Sequence, residues 1–318
     1  MIEQKVKDRV ARRLFSSRLK QVIGQETAAL LAEKPPEVDS VEFCSFVANL
    51  IVGELHEHLC ASSGLEASRD DEPPAKGDRS SLDFETILRG LLIGLEYDLL
   101  VGNLQMVRAL GEAIAQRDTL NSKHNLRVTL YSTRLAEAMG LEQEQVQSLM
   151  KGSFLHDIGK IGIHDEILLK GADLTKDERT IMNGHPEIGT MMISGVKWLG
   201  DALDVVRHHH ERYDGAGYPD GLHGETVPLN ARIFAVVDVF DALASERPYK
   251  QAYQYEDTMA IINRKGGGHF DPEIVDEFTA ISRSLYDELA WEPYHVLDRQ
   301  VTNSLATHFG IDPAALTI

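Results

Sequence analysis

The stretch EQVQSLMKGSFLHDIG, residues 144–159, sets apolar residues at three- and four-residue steps and then closes on a histidine, an aspartate and a glycine. That spacing predicts a helix with one buried face, and helices often stop at a glycine just past the cap. The same pattern runs outward in both directions. DFETILRGLLIGLEYDLL, LQMVRALGEAIAQRD, HNLRVTLYSTRLAEAMG, DERTIMNGH and PEIGTMMISGV all read as helical, with Gly140 and Gly159 as stops. No alternating strand pattern of useful length and no internal repeat occurs, so the expected class is mainly α.

Residues 1–60 also carry a helical stripe (Phe46, Val47, Leu50, Ile51, Leu55), and the segment ASSGLEASRDDEPPAKGDRSS at 61–81 reads as an exposed linker. The expected organisation is a smaller, mostly helical N-terminal input or dimerisation module over 1–95, with no receiver-domain pattern, followed by a helical domain over 96–318. A formal charge of −18 excludes a general nucleic-acid or anionic-membrane binder, because both need surplus Lys and Arg. An anionic ligand must be met by local positive charge. Cys44 and Cys60 are too few for a disulfide scaffold or a zinc ribbon. The charged start MIEQKVKDRVARRLF is unlike a signal peptide, and no stretch nears the ~20 apolar residues of a membrane span. The expectation is a cytoplasmic protein.

Imidazoles and carboxylates recur at helix ends. His124 begins one helix, His156 and Asp157 end another, and His185 stands at an N-cap position before Pro186. In RHHHERYDGAGYPDG, 207–221, three consecutive histidines cannot share one helix face, so packing alone explains them poorly. Asp238 lies in the apolar helix ARIFAVVDVFDAL, where a bare carboxylate costs several kcal/mol unless a cation or hydrogen bonds compensate it. Mixed imidazole and carboxylate donors suit first-row metals rather than calcium. Any one of these histidines alone reads more simply as a surface or core residue, and His164, His208, His223, His269 and His308 are left as such. DGAGYPDGLHG alone is ordinary turn chemistry.

Taken in order, His124–Val128, HDIGKIGI at 156–163, His185, HHERYDGAGYP at 209–219, ARIFAVVDVFDALASERPYK at 231–250 and GGGHFDPEIVDEF at 266–278 resemble the HD-GYP family of the HD superfamily of metal-dependent phosphohydrolases. The resemblance covers over half the chain. It implies a helical bundle enclosing a metal centre, usually of iron or manganese, and hydrolysis of cyclic di-GMP to linear pGpG or GMP. It also implies His124, His156, Asp157, His185, His209, His210 and Asp238 as metal ligands, with Asp157 bridging two ions and a bridging hydroxide attacking phosphorus. Lys160, Arg247 and Lys250 would then meet phosphate, and Tyr218 a guanine or merely its own loop. The family is also described as contacting diguanylate cyclase domains through the Gly-Tyr-Pro loop.

One departure bears on activity. Where the family commonly has Tyr or Glu, four residues before the first histidine, this chain has Leu120. Leucine can neither ligate nor hydrogen-bond, so two ions rather than three are expected, with turnover lowered. The competing readings are a weakly active or inactive cyclic di-GMP sensor or scaffold, and an HD hydrolase of another cyclic dinucleotide. Asp241, Glu211 and Asp214 are candidates to orient the ligating rings, since a ligating histidine usually donates its second N–H to a carboxylate or carbonyl.

Overall fold

A computed structural model describes residues 84–117, 123–170, 172–246 and 251–316. The expected module over 1–95 falls mostly outside the described residues, as do Leu120, Arg247 and Lys250. Residues from Tyr97 on form one compact unit. In chain order the helices are α1 (Phe84–Arg117), α2 (His124–Ala138), α3 (Gln143–Leu155), the short α4 (Asp165–Leu168), α5 (Lys176–Met182), α6 (His185–Ile193), α7 (Leu203–His208), α8 (Leu229–Ala244), α9 (Tyr255–Arg264), α10 (Pro272–Leu289) and α11 (Tyr294–Phe309). A 3₁₀ turn, Ile158–Gly162, follows α3. Among the described residues the only β feature is an isolated bridge between Gly266 and Phe270.

The core follows from the periodic stripes. Val146, Leu149, Met150 and Phe154 of α3 are buried against α2 and α7, and the apolar α8 supplies Ile233, Phe234, Val236, Val237 and Phe240. The Phe240 ring meets Tyr131 of α2 and Phe278 of α10 edge-on, at centroid distances of 5.5 and 4.9 Å. Edge-to-face contact directs a ring's positive rim at its neighbour's negative face, which fixes the register of the three helices beyond simple burial.

Gly140 ends α2 in the left-handed conformation (φ 70°), as a glycine stop should. Gly159 does not act as a stop. Helix α3 ends at Leu155 with His156 as its cap residue, and Gly159 sits inside the 3₁₀ turn where α6 crosses it. A Cβ there would lie 1.8 Å from the His185 carbonyl oxygen and 2.6 Å from the Gly189 nitrogen. Only a missing side chain lets the two backbones approach this closely, and that approach carries His185 to His156. Similarly, His185 is not the N-cap: Gly184 caps α6, and His185 is its first residue ahead of Pro186.

Replacing Gly159 by Ala is therefore expected to cost at least about 3 kcal/mol, the upper end for overpacking, because the obstruction is backbone on both sides. Gly195→Ala, with nothing within 4 Å of the added carbon, serves as the control. Equal thermal midpoints for the two variants would contradict the close-approach assignment.

Candidate metal centre

Three of the candidate histidines are oriented by one local device. The last carbonyls of a helix lack intrahelical partners, and a histidine at or just beyond that end can turn its Nδ1–H back onto one of them. His156 Nδ1 donates to the Ser153 carbonyl (2.8 Å), His185 Nδ1 to Met182 at the end of α5 (2.8 Å), and His209 Nδ1 to Val205 (3.0 Å). In a neutral ring, each such bond selects the tautomer whose Nε2 is a bare lone pair.

His124 lies at a helix start, where free N–H groups rather than carbonyls are exposed, and its Nδ1 donates instead to Asp241 Oδ2 (2.8 Å). Asp241 is held in turn by Arg127, one turn along the same helix, at 2.5 Å from Nε and 3.0 Å from Nη2. Arg127 also donates to Ser245 Oγ (2.7 Å). Of the three acids expected to orient rings, only Asp241 does so. Asp214 pairs with Arg212 and the Ala216 amide, while Glu211 is drawn into the loop behind the histidines.

All seven candidate ligands converge. His185, His209 and His210 form one group whose donor atoms lie within 4.8 Å of one another, and His124, His156 and Asp238 form a second. Asp157 stands between them: Oδ2 is 3.1 Å from His156 Nε2, and Oδ1 is 3.3 Å from His185 Nε2. Lys160 Nζ also reaches Asp157 Oδ2, at 2.8 Å. Facing lone pairs dominate the centre. His185 Nε2 is 3.2 Å from His209 Nε2, and neither nitrogen carries a proton in the tautomer its carbonyl partner selects. Buried acceptors at such distances repel unless a cation lies among them. The donor set therefore fits divalent ions.

The ionisation states agree. Burial, reinforced by His210 and His185, holds His209 well below its ordinary pKa; burial and His185 bring His210 down to about 4, and burial lowers His185 as well. These rings are neutral donors at neutral pH. Burial works against the charged form of Asp157, but His156 and Lys160 outweigh it and keep the carboxylate ionised. Asp238 is likewise kept ionised against burial, by His124. His124 itself is driven up to about 9, burial being outweighed by Asp238 and Asp241.

The loop after His210 wraps around a buried anion. Glu211, 2% exposed, accepts the amides of Asp220 (2.7 Å), Gly221 (3.0 Å) and Leu222 (3.1 Å). A Cβ on Gly217 would lie 2.4–2.5 Å from the Arg212 nitrogen and Glu211 Cα, so this position too is glycine by close approach. The Tyr218–Pro219 bond is cis, and the Tyr218 ring lies over His210 at 4.8 Å. Tyr213 and Asp214 donate backbone bonds to His269 and Gly268, tying the GGGHF segment to this loop.

Sequence reasoning assigned no role to Arg127 or Arg117, although both stand beside the motifs it used. Glu211, one of the three candidate ring supports, holds loop amides instead. The available signal was the i, i+3 placement of Arg127 after His124, which puts both on one helix face.

In protein stripped of metal by a chelator, the depressed histidines favour the folded state above about pH 6.5 and withdraw that contribution as pH falls, for His210 towards about 4. His124 acts oppositely: its contribution is complete below about pH 6.5 and is lost as pH rises towards about 9. The thermal midpoint of the chelated protein is thus expected to peak near neutrality and decline on both sides, with His124→Gln flattening only the alkaline limb. A midpoint constant across that range would refute these charge states.

Residues 108–274 match the family described as HD domain. The cyclic di-GMP phosphodiesterase response regulator RpfG of Xanthomonas campestris pv. campestris (strain 8004) is 45% identical over 169 residues, covering 52% of this chain and 45% of that protein. A cyclic di-GMP phosphodiesterase of Vibrio cholerae serotype O1 is 39% identical over 180 residues, covering 52% and 37%. The 3'3'-cGAMP-specific phosphodiesterase 2 of the same organism is 37% identical over 204 residues, covering 61% and 39%. The match thus spans less than half the length of each of these relatives. No helix among the described residues is long and apolar enough to cross a membrane. With the family match running over more than half its length, and with His156–Asp157 and the Gly-Tyr-Pro loop converging on one cluster of donors, the chain belongs to the HD domain family, in its HD-GYP branch.

Proposed function

We propose that this chain is a metal-dependent phosphodiesterase that hydrolyses cyclic di-GMP to linear pGpG or GMP. The observation carrying the proposal is the position of Asp157, whose two oxygens face two separate groups of buried and half-buried donors. In this reading His124, His156 and Asp238 hold one divalent ion, and His185, His209 and His210 a second, with Asp157 shared; iron or manganese is the proposed identity. When bound, such ions supply Lewis acidity, which neutralises phosphoryl charge and makes water a usable nucleophile at neutral pH.

The remaining work falls to the chain itself. Burial keeps His185, His209 and His210 deprotonated, so their lone pairs are free for cations at neutral pH. Lys160, held beside Asp157 at 2.8 Å, offers an ammonium to a non-bridging phosphate oxygen. Tyr218 presents a ring edge-adjacent to the donors over His210, a wall against which a nucleobase can pack. Arg247 and Lys250 are proposed to meet the second phosphate as a planar fork and a point charge. Residues 1–95 are proposed as the input module. A diguanylate cyclase domain is proposed to dock on the Gly-Tyr-Pro loop, where Glu211 holds the backbone in one shape; capture of such a domain that is unaffected by replacing residues 217–219 would remove that role.

The deciding experiment supplies Fe²⁺ or Mn²⁺ to the purified protein, adds cyclic di-GMP or 3'3'-cGAMP separately, and resolves the products by chromatography. Faster conversion of cyclic di-GMP to the linear dinucleotide or GMP is expected. The 37% identity to a 3'3'-cGAMP-specific enzyme makes the second substrate the informative competitor, and faster cleavage of it would reassign the base preference. Bound but intact ligand with both would make the protein a sensor. Asp157→Asn is expected to lower turnover by more than about a hundredfold, beyond the range for groups that merely support ligands; wild-type turnover in that variant would overturn the proposal.

A further inference from the structure

The last turns of α1 bear on the segment that carries His156 and Asp157 from both sides. Before the dipeptide, Gly111 lies against Phe154: an added Cβ would sit 3.0 Å from the Phe154 carbonyl oxygen and 3.1 Å from its ring. Asn125, next to His124, donates to the Gly111 carbonyl at 3.2 Å. After the dipeptide, the guanidinium of Arg117 closes over the end of the 3₁₀ turn. Nη1 donates to the carbonyls of Lys160 (3.1 Å) and Ile161, and Nη2 to the Ile163 carbonyl and Asp165 Oδ1, each at 2.8 Å.

Three carbonyls within four residues converge where a helical turn ends and carry its negative pole; that of Lys160 also accepts the Ile163 amide at 3.1 Å. A planar cation with donors in a fixed fork can gather them together, whereas an ammonium concentrates its charge at one point. The residues so gathered begin at Lys160, whose own Nζ is bonded to Asp157. Displacing the turn would move both.

We infer that Arg117 is a positioning residue for the metal centre: by clasping the Lys160–Ile163 carbonyls it sets where Asp157 and Lys160 stand between the two donor groups. This rests on the proposed phosphodiesterase reading for its kinetic consequence but not for its effect on metal binding. Arg117 touches neither the donors nor a substrate directly, and it acts through the backbone of the turn.

Two measurements on Arg117→Ala test it. The first is Mn²⁺ affinity, followed by the electron spin resonance of free Mn²⁺ at a temperature where the metal-free variant is fully folded. Affinity is expected to fall about tenfold, within the range for groups that support ligands from behind, and Arg117→Lys to recover only part of it. The second is a double-mutant cycle with Lys160→Ala read by cyclic di-GMP turnover. If Arg117 works through Lys160, its removal in the Lys160→Ala background should cost under about half of its effect in the wild type, on a logarithmic scale. A merely structural arginine would give full, multiplying losses. Should Arg117→Ala not fold, Asp165→Asn removes the exposed carboxylate that orients the guanidinium and is expected to weaken Mn²⁺ two- to threefold. Wild-type Mn²⁺ affinity in the variant used, or additive losses in the cycle, overturns the inference. Absence of turnover in the wild type overturns the proposed activity instead and leaves the Mn²⁺ measurement to decide.

Discussion

Lone pairs brought face to face in a buried space are the constraint around which this domain is arranged. His185 Nε2 and His209 Nε2 stand 3.2 Å apart, with a carboxylate oxygen of Asp157 3.3 Å from the first. Nothing in the tautomers places a proton between the two nitrogens. A fold dictated only by burial would separate such groups, or leave them to water. Here, helix ends deliver them to one point and hold them there, because each ring spends its Nδ1–H on a carbonyl in the last turn of a helix. A divalent cation, which this donor set fits, would offset the cost of the arrangement.

Polarity of the helix explains why the fourth imidazole needs a different support. His124 stands at the start of α2, where the backbone offers donors and no acceptor, so a carboxylate has to come from another helix. Asp241 on α8 does this, and burying it requires Arg127 in turn. A buried pair contributes little net stability against an apolar equivalent, but removing one partner strands the other. Arg127 and Asp241 thus act as a unit on the His124 ring, and their bonds tie α2 to α8.

Much of this was legible in the sequence, for reasons particular to helices. Apolar spacing marks the buried face of α3 without any tertiary information, and the accumulation of His and Asp at helix ends signals function because such residues have little reason to be there for packing. What escaped were relations between distant positions. Gly159 looked like a helix stop, since nothing local reveals that the His185 carbonyl would occupy the place of its side chain. Arg127 and Asp241 are 114 residues apart, and Arg117 reaches carbonyls 43 to 46 residues on. Glu211 was one of three candidate ring supports, yet the chain doubles back nine to eleven residues later and takes the carboxylate for its own amides.

Charge at the centre adds a final step. By side chains alone the ions balance pair by pair: Asp157 with Lys160, Asp238 with a protonated His124, Asp241 with Arg127. No surplus positive charge is left among these groups to attract a phosphodiester, and the formal charge of −18 over the whole chain opposes any anion's approach. A cation bound at His124 would displace the proton that the two carboxylates hold there and bring more charge than it removes. On the proposed reading, attraction for an anionic substrate would arise only in the loaded site, and long polyanions would gain little from it against the chain's acidic charge. Selectivity for a small diester would follow, on that reading, from pairing an acidic chain with a local positive centre that the ions supply.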